Sequence, residues 1–173
     1  MKPVAIVLAL ILGLAIHRWA GTAEPVRPPG DRPNSTIEQA RRQAEILHEA
    51  MHATLQVVHH RYYQEDEGLP LPAATLKEVF ATMEQEQQVS LRWLAIEGQV
   101  MNTDHTARTD FEQAAAQALK AGKKSHEQIH EGQYSRVAPI ILTNHCLKCH
   151  VPDRKNTDDR IAGLMITIPV QTP

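Results

Sequence analysis

The sequence predicts an α+β fold, with helices first and then a small, mainly antiparallel sheet into which one further helix is inserted. Three observations carry that reading: an apolar stripe at helical spacing from residue 37 to 62, a short alternating stretch around Leu91, and a hairpin signal at Glu131-Gly132. The 173 residues suit one ordinary domain. A composition of 42% hydrophobic and 22% charged residues is that of a globular chain rather than a disordered one. Lys and Arg number 18 against 20 Asp and Glu, with no block of like charge, so there is no electrostatic footprint for nucleic acid. Aromatics are only 4%, which makes the core aliphatic. The two cysteines stand three positions apart and cannot staple distant parts of the chain, which excludes a disulfide framework.

Three helix starts carry a capping-box pattern, Ser35 with Glu38, Thr75 with Glu78 and Thr109 with Glu112. The first helix is expected from about Thr36 to Gln64, with Ile37, Ala40, Ala44, Leu47, Met51, Leu55, Val58 and Tyr62 on one stripe. Gly68-Leu69-Pro70-Leu71-Pro72 breaks the chain before a second helix bearing Leu76, Val79, Phe80 and Met83. The third carries Phe111, Ala114, Ala115, Ala118 and Leu119 and stops at Gly122. Val89, Leu91, Trp93 and Ala95 alternate with Ser90, Arg92 and Leu94 as a strand does. Ser125 to His130 and Tyr134 to Leu142 flank the Glu131-Gly132 turn, and Pro139 pushes the second of these strands toward an edge or a bulge. Ile161 to Val170, rich in β-branched residues, forms the last strand.

The N-terminus reads as an address. Lys2 precedes an apolar run from Val4 to Ile16, and small residues follow at Gly21 and Ala23. Thirteen residues rise only about 20 Å as a helix, short of the roughly 30 Å hydrocarbon core. Residues 1–23 are therefore expected to be a secretory signal cut after Ala23, with an uncleaved anchor as the alternative. Either way the remainder is expected outside the cytoplasm, in a periplasmic or equivalent space. Residues 24–35, with Pro25, Pro28, Pro29 and Pro33, read as a stiff tether, leaving 36–173 as the domain.

Cys146-Leu147-Lys148-Cys149-His150 is CxxCH, the attachment sequence of c-type haem. Two thiols three apart on a tight turn can each add across one of the two haem vinyl groups, and the next residue then offers its imidazole to the iron. Cys146 and Cys149 are thus the expected attachment points and His150 the proximal ligand of one covalently bound haem c. A thioredoxin-like dithiol normally opens a helix, whereas Val151-Pro152-Asp153 after this motif reads as loop. A zinc site made of His145, Cys146, Cys149 and His150 would need four ligands from six consecutive residues around one tetrahedral ion.

The sixth iron position decides the chemistry, because two strong ligands favour electron transfer and an open site permits gas binding or catalysis. On a helical wheel with Met51 at 0°, His48 falls at about 60°, His59 at about 80° and His52 at about 100°, beside the apolar stripe, while His60 points away. Any of the three could reach an iron in the core or simply stand as a boundary histidine with a solvated tip. His126 and His130 form a weaker pair, and His105 sits in a polar segment.

Taken together, the capped helix Phe111 to Gly122, the segment Gln133-Tyr134-Ser135-Arg136-Val137-Ala138-Pro139-Ile140, the CxxCH motif and the closing strand Ile161 to Pro169 resemble the bacterial family of PAS-like c-type haem domains. That family was long catalogued as a domain of unknown function, found alone behind a signal peptide or in extracytoplasmic sensor regions. The resemblance implies a PAS-like fold, with a long N-terminal helix on a five-stranded antiparallel sheet and the CxxCH loop before the last strand. Val151 stands where family members often have Gly, and the link to the last strand is short. One branch is similar in placing a distal ligand on the N-terminal helix, where a cysteine can serve. This chain has no third cysteine, so His59 or His52 becomes the expected substitute. The expected function is that of an exported single-haem cytochrome that transfers or senses electrons with a separate redox partner protein. The alternatives are a gas or redox sensor with a labile sixth ligand, and a small peroxidase-like haem enzyme.

Overall fold

The computed structural model describes residues 34–63, 67–98, 100, 102–150 and 155–171. The expected signal or anchor, most of the tether and the residues directly after the CxxCH segment lie outside the described residues. In chain order come α1 (Ile37–Arg61), α2 (Pro72–Gln87), β1 (Ser90–Ala95), a single 3-10 turn (Thr103–His105), α3 (Asp110–Lys120), β2 (His126–His130), β3 (Gln133–Leu142), α4 (Asn144–His150) and β4 (Arg160–Pro169). The strands form one antiparallel sheet in the order β1-β4-β3-β2. The described residues thus hold four strands where the resemblance implied five.

Strand periodicity sorts the core onto two faces. Leu91 and Trp93 of β1, Tyr134, Ile140 and Leu142 of β3, and Leu164, Ile166 and Ile168 of β4 meet Ala40, Ala44 and Leu55 of α1 and Phe80 of α2. The opposite parity, Leu94 and Val137 with Met165, meets Ala115 and Leu119 of α3. Both faces are covered, so β1 buries Leu94 as fully as its alternating partners. Gly163 makes the close approach possible: a Cβ there would lie 3.1 Å from Val137 Cγ1 and 3.3 Å from Leu94 Cβ.

The caps refine the sequence expectations. The third capping box is present as expected, with Thr109 and Glu112 each binding the other's backbone N–H. Gly122, at φ +82°, ends α3 in a Schellman arrangement, with Lys123 N donating to Ala118 O and Gly122 N to Leu119 O. The first box is shifted by one, to Thr36 with Gln39 rather than Ser35 with Glu38. The second does not form, because Pro72 already occupies the first turn of α2 and Thr75 lies inside the helix. Glu131 and Gly132, both at positive φ, close the β2–β3 hairpin as a two-residue turn.

Pro139 sits where β3 becomes locally an edge, as expected, although the strand is interior in the sheet order. β3 is an interior strand paired with β4 along its whole length, and Pro139 stands opposite Gly163. β2 pairs only as far as Val137, so beyond that point the outer side of β3 belongs to α1. His48 Nε2 lies 3.1 Å from Pro139 O, and Gln56 Nε2 donates to Ile141 O at 2.9 Å. Those carbonyls face away from β4, and the nitrogen of the same residue faces the same way. The proline therefore removes no hydrogen bond from the ladder.

Candidate functional site

The CxxCH segment lies on α4, a short helix, and not on a loop as expected. Thr143 opens it by accepting the N–H groups of Cys146 and Leu147 at 2.8 and 3.1 Å. Positions 146, 149 and 150 stand at i, i+3 and i+4, the spacing that shares one helix face. Leu147 is fully buried and anchors the helix to the core. Cys146 is 8% exposed, with its sulfur 3.6 Å from Thr143 Oγ1. The side chains of Cys149 and His150 lie outside what the structure describes.

Cys146 lines a cavity of about 400 Å³, within the roughly 300–1,000 Å³ usual for cofactor pockets. Its walls come from α1 (Leu55, Gln56, His59), α2 (Ala73, Lys77), β1 (Trp93, Ala95), β3 (Ile140, Leu142) and the turn region (Val100, Asn102, His105). The Trp93 indole N–H donates to Ala73 O at 3.0 Å, and its ring tilts against Phe80, which fixes the wall between β1 and α2. A largely apolar chamber with the Cys146 thiol and the imidazoles of His59 and His105 in its wall fits a flat, apolar, iron-bearing ring.

The α1 histidines separate by position along the helix. His59 is 8% exposed and lies in the cavity wall, its ring 5.3 Å from that of Tyr63. His52 is half-buried outside the cavity lining, between His48 and Gln56 on the line that faces the outer side of β3. His48 must donate from Nε2, because its partner is a carbonyl. Burial, together with the neighbouring His52 and Arg136, holds its pKa below the usual value and so keeps it neutral. His126 packs on Phe111 on the α3 side of the sheet, and His130 is exposed.

Sequence reasoning missed His105. Its polar segment gave no burial signal, yet long-range bonds bring it to the cavity. The Arg92 guanidinium donates to Asp104 O and Thr106 O, both at 2.7 Å, and pairs with the buried Glu112 carboxylate. On the other sheet face, Glu127 joins Arg41 of α1 to Arg136 of β3, with Tyr134 beneath Arg41. That network ties the start of α1 to the hairpin and takes no part in the cavity.

Among solved structures, the crystal structure of the cyanobacterial haem protein Tll0287 matches at a TM-score of 0.53 and 15% identity, covering 77% of this chain and 98% of that one. At that identity the match speaks to the fold, and it bears out the PAS-like α+β architecture. No curated protein sequence matches the chain. The model of the family described as Tll0287-like matches residues 33–165, nearly the whole helix-and-sheet unit, and the chain belongs to that family.

Proposed function

We propose that the protein binds one haem c, covalently through Cys146 and Cys149, with His150 as the proximal ligand and His59 as the distal one. The observation that carries this reading is the buried Cys146 of a CxxCH motif sharing one apolar cavity wall with the buried His59. The match to a haem protein of the same fold supports it. A bound haem supplies reversible one-electron exchange at the iron. The protein's own part is to exclude water with Leu55, Trp93 and Leu142 and to hold the imidazole ready on α1. The resulting function is electron transfer or redox sensing outside the cytoplasm, with a separate redox partner. His52 remains the alternative ligand if α1 shifts.

A sensor with an exchangeable sixth ligand is the second reading. It is favoured by the place of His59 in the last turn of α1, which ends at Arg61, because helix ends open more readily than helix centres. Denaturing mass spectrometry of the protein made with its export segment tests the core proposal. One haem retained, and lost when Cys146 and Cys149 are both replaced by Ala, supports it. An unmodified mass contradicts it.

A further inference from the structure

Five polar side chains line the cavity besides His59: Gln56, Lys77, Glu97, Asn102 and His105. Two are already committed to the fold. Gln56 donates to Ile141 O, and Glu97 accepts the Ile161 N–H at 2.9 Å. The other three come together where α2 meets the turn. Lys77 Nζ is 3.8 Å from Asp104 Oδ2, the Asp104 N–H donates to Asn102 Oδ1 at 2.9 Å, and the His105 N–H donates to Asn102 O at 2.9 Å.

We propose that Lys77, Asn102 and His105 form the end of the cavity that receives the two propionate carboxylates of the haem, an inference that rests on the haem reading above. The chemistry suits two anions. Lys77 brings a cation, and Asn102, whose oxygen is engaged by Asp104, offers its amide N–H₂ as a donor. The position suits them as well. Lys77 is 45% exposed and the neighbouring Val100 40% exposed, so this is a mouth where ionised carboxylates keep part of their hydration. Asp104 is the acidic competitor for Lys77, but it is an exposed partner at the outer limit of ion-pair distance and also faces Arg108 at 3.8 Å. Arg92, bound to two carbonyls of the turn, holds its backbone in place, so the donors are set before a ligand enters.

The test uses the exported holoprotein and three variants, Lys77→Gln, Asn102→Ala and His105→Asn. Resonance Raman of the propionate bending modes is read beside the absorption spectrum and the reduction potential. The expected result is a shifted propionate band with the axial-ligand spectrum unchanged. In Lys77→Gln the potential should also fall, because removing a cation favours the oxidised iron. Lys77→Gln alters a half-exposed helix residue and keeps the fold available for measurement. A propionate band unmoved in all three variants overturns the proposal while leaving the haem reading intact. A change of spin state in His105→Asn overturns it too, since His105 would then be an axial ligand. Wild-type protein without haem overturns both.

Discussion

Glu112→Ala should be among the most damaging single changes outside the hydrophobic core. The carboxylate is 7% exposed and accepts the Arg108 N–H at 2.6 Å and the Thr109 N–H at 3.2 Å while pairing with Arg92. Losing the two hydrogen bonds that Oε2 accepts costs about 1 kcal/mol each. Stripping a fully buried cation of its partner costs about 3–5 kcal/mol. Arg92 is 27% exposed and keeps two carbonyl bonds, so roughly 1–2 kcal/mol is the fitting share here. The total is about 3–4 kcal/mol, read as a lower urea midpoint at constant slope. Glu112→Gln retains one acceptor oxygen, loses the charge, and should cost about half as much. The charge also predicts a pH signature. Burial pushes the Glu112 carboxyl up, but the two backbone N–H groups and Arg92 overcome it and hold it below the usual range. Its stabilisation is therefore present above the unfolded pKa of about 4.3 and is lost as pH falls through the folded value. The gap between wild type and Glu112→Gln should shrink below about pH 4 by the same linkage. A loss under about 0.5 kcal/mol for Glu112→Ala, in the range of ordinary surface changes, refutes the reasoning.

Tyr134 is fully buried, and burial followed by the Glu127 carboxylate pushes its phenol up to about 12 from an ordinary 10.0. Its contribution to stability is present below pH 10 and lost between 10 and 12; an ultraviolet titration should show one phenol ionising late, and Tyr134→Phe should remove that step. Gln56→Ala should cost about 1 kcal/mol in chemical unfolding by uncapping Ile141 O on the outer side of β3; a neutral result would mean water replaces the amide. Leu147→Ala, which empties a fully buried site on α4, should cost about 2–5 kcal/mol, and yield of haem-loaded protein should fall with it.

Elements with short-range signals were legible in the sequence. Thr109, Glu112 and Gly122 bracket α3 within fourteen residues, and Glu131-Gly132 marks its turn by the backbone conformation that only a few residues tolerate. The start of α2 was misplaced because Thr75 and Glu78 repeat the box spacing inside a helix that Pro72 had already begun. The role of Pro139 depended on which side of β3 its nitrogen faces, and that is set by register with β4 and by the reach of His48 and Gln56. His59 and His52 differ by only about 20° on a helical wheel. What separates them is position along α1, because α2 and β1 close a cavity around His59 but not around His52. His105 had no local signal at all, and Arg92, Asp104 and Glu112 bring its turn to the cavity through tertiary bonds.

The most direct test of the account is the absorption spectrum of the exported protein and of His59→Ala, oxidised and reduced, before and after carbon monoxide. The account predicts a low-spin wild type that resists carbon monoxide and a high-spin His59→Ala that binds it rapidly. Identical low-spin spectra in the two proteins would contradict the assignment of His59, and a His52→Ala protein that alone turns high-spin would move the ligand about two turns back along α1.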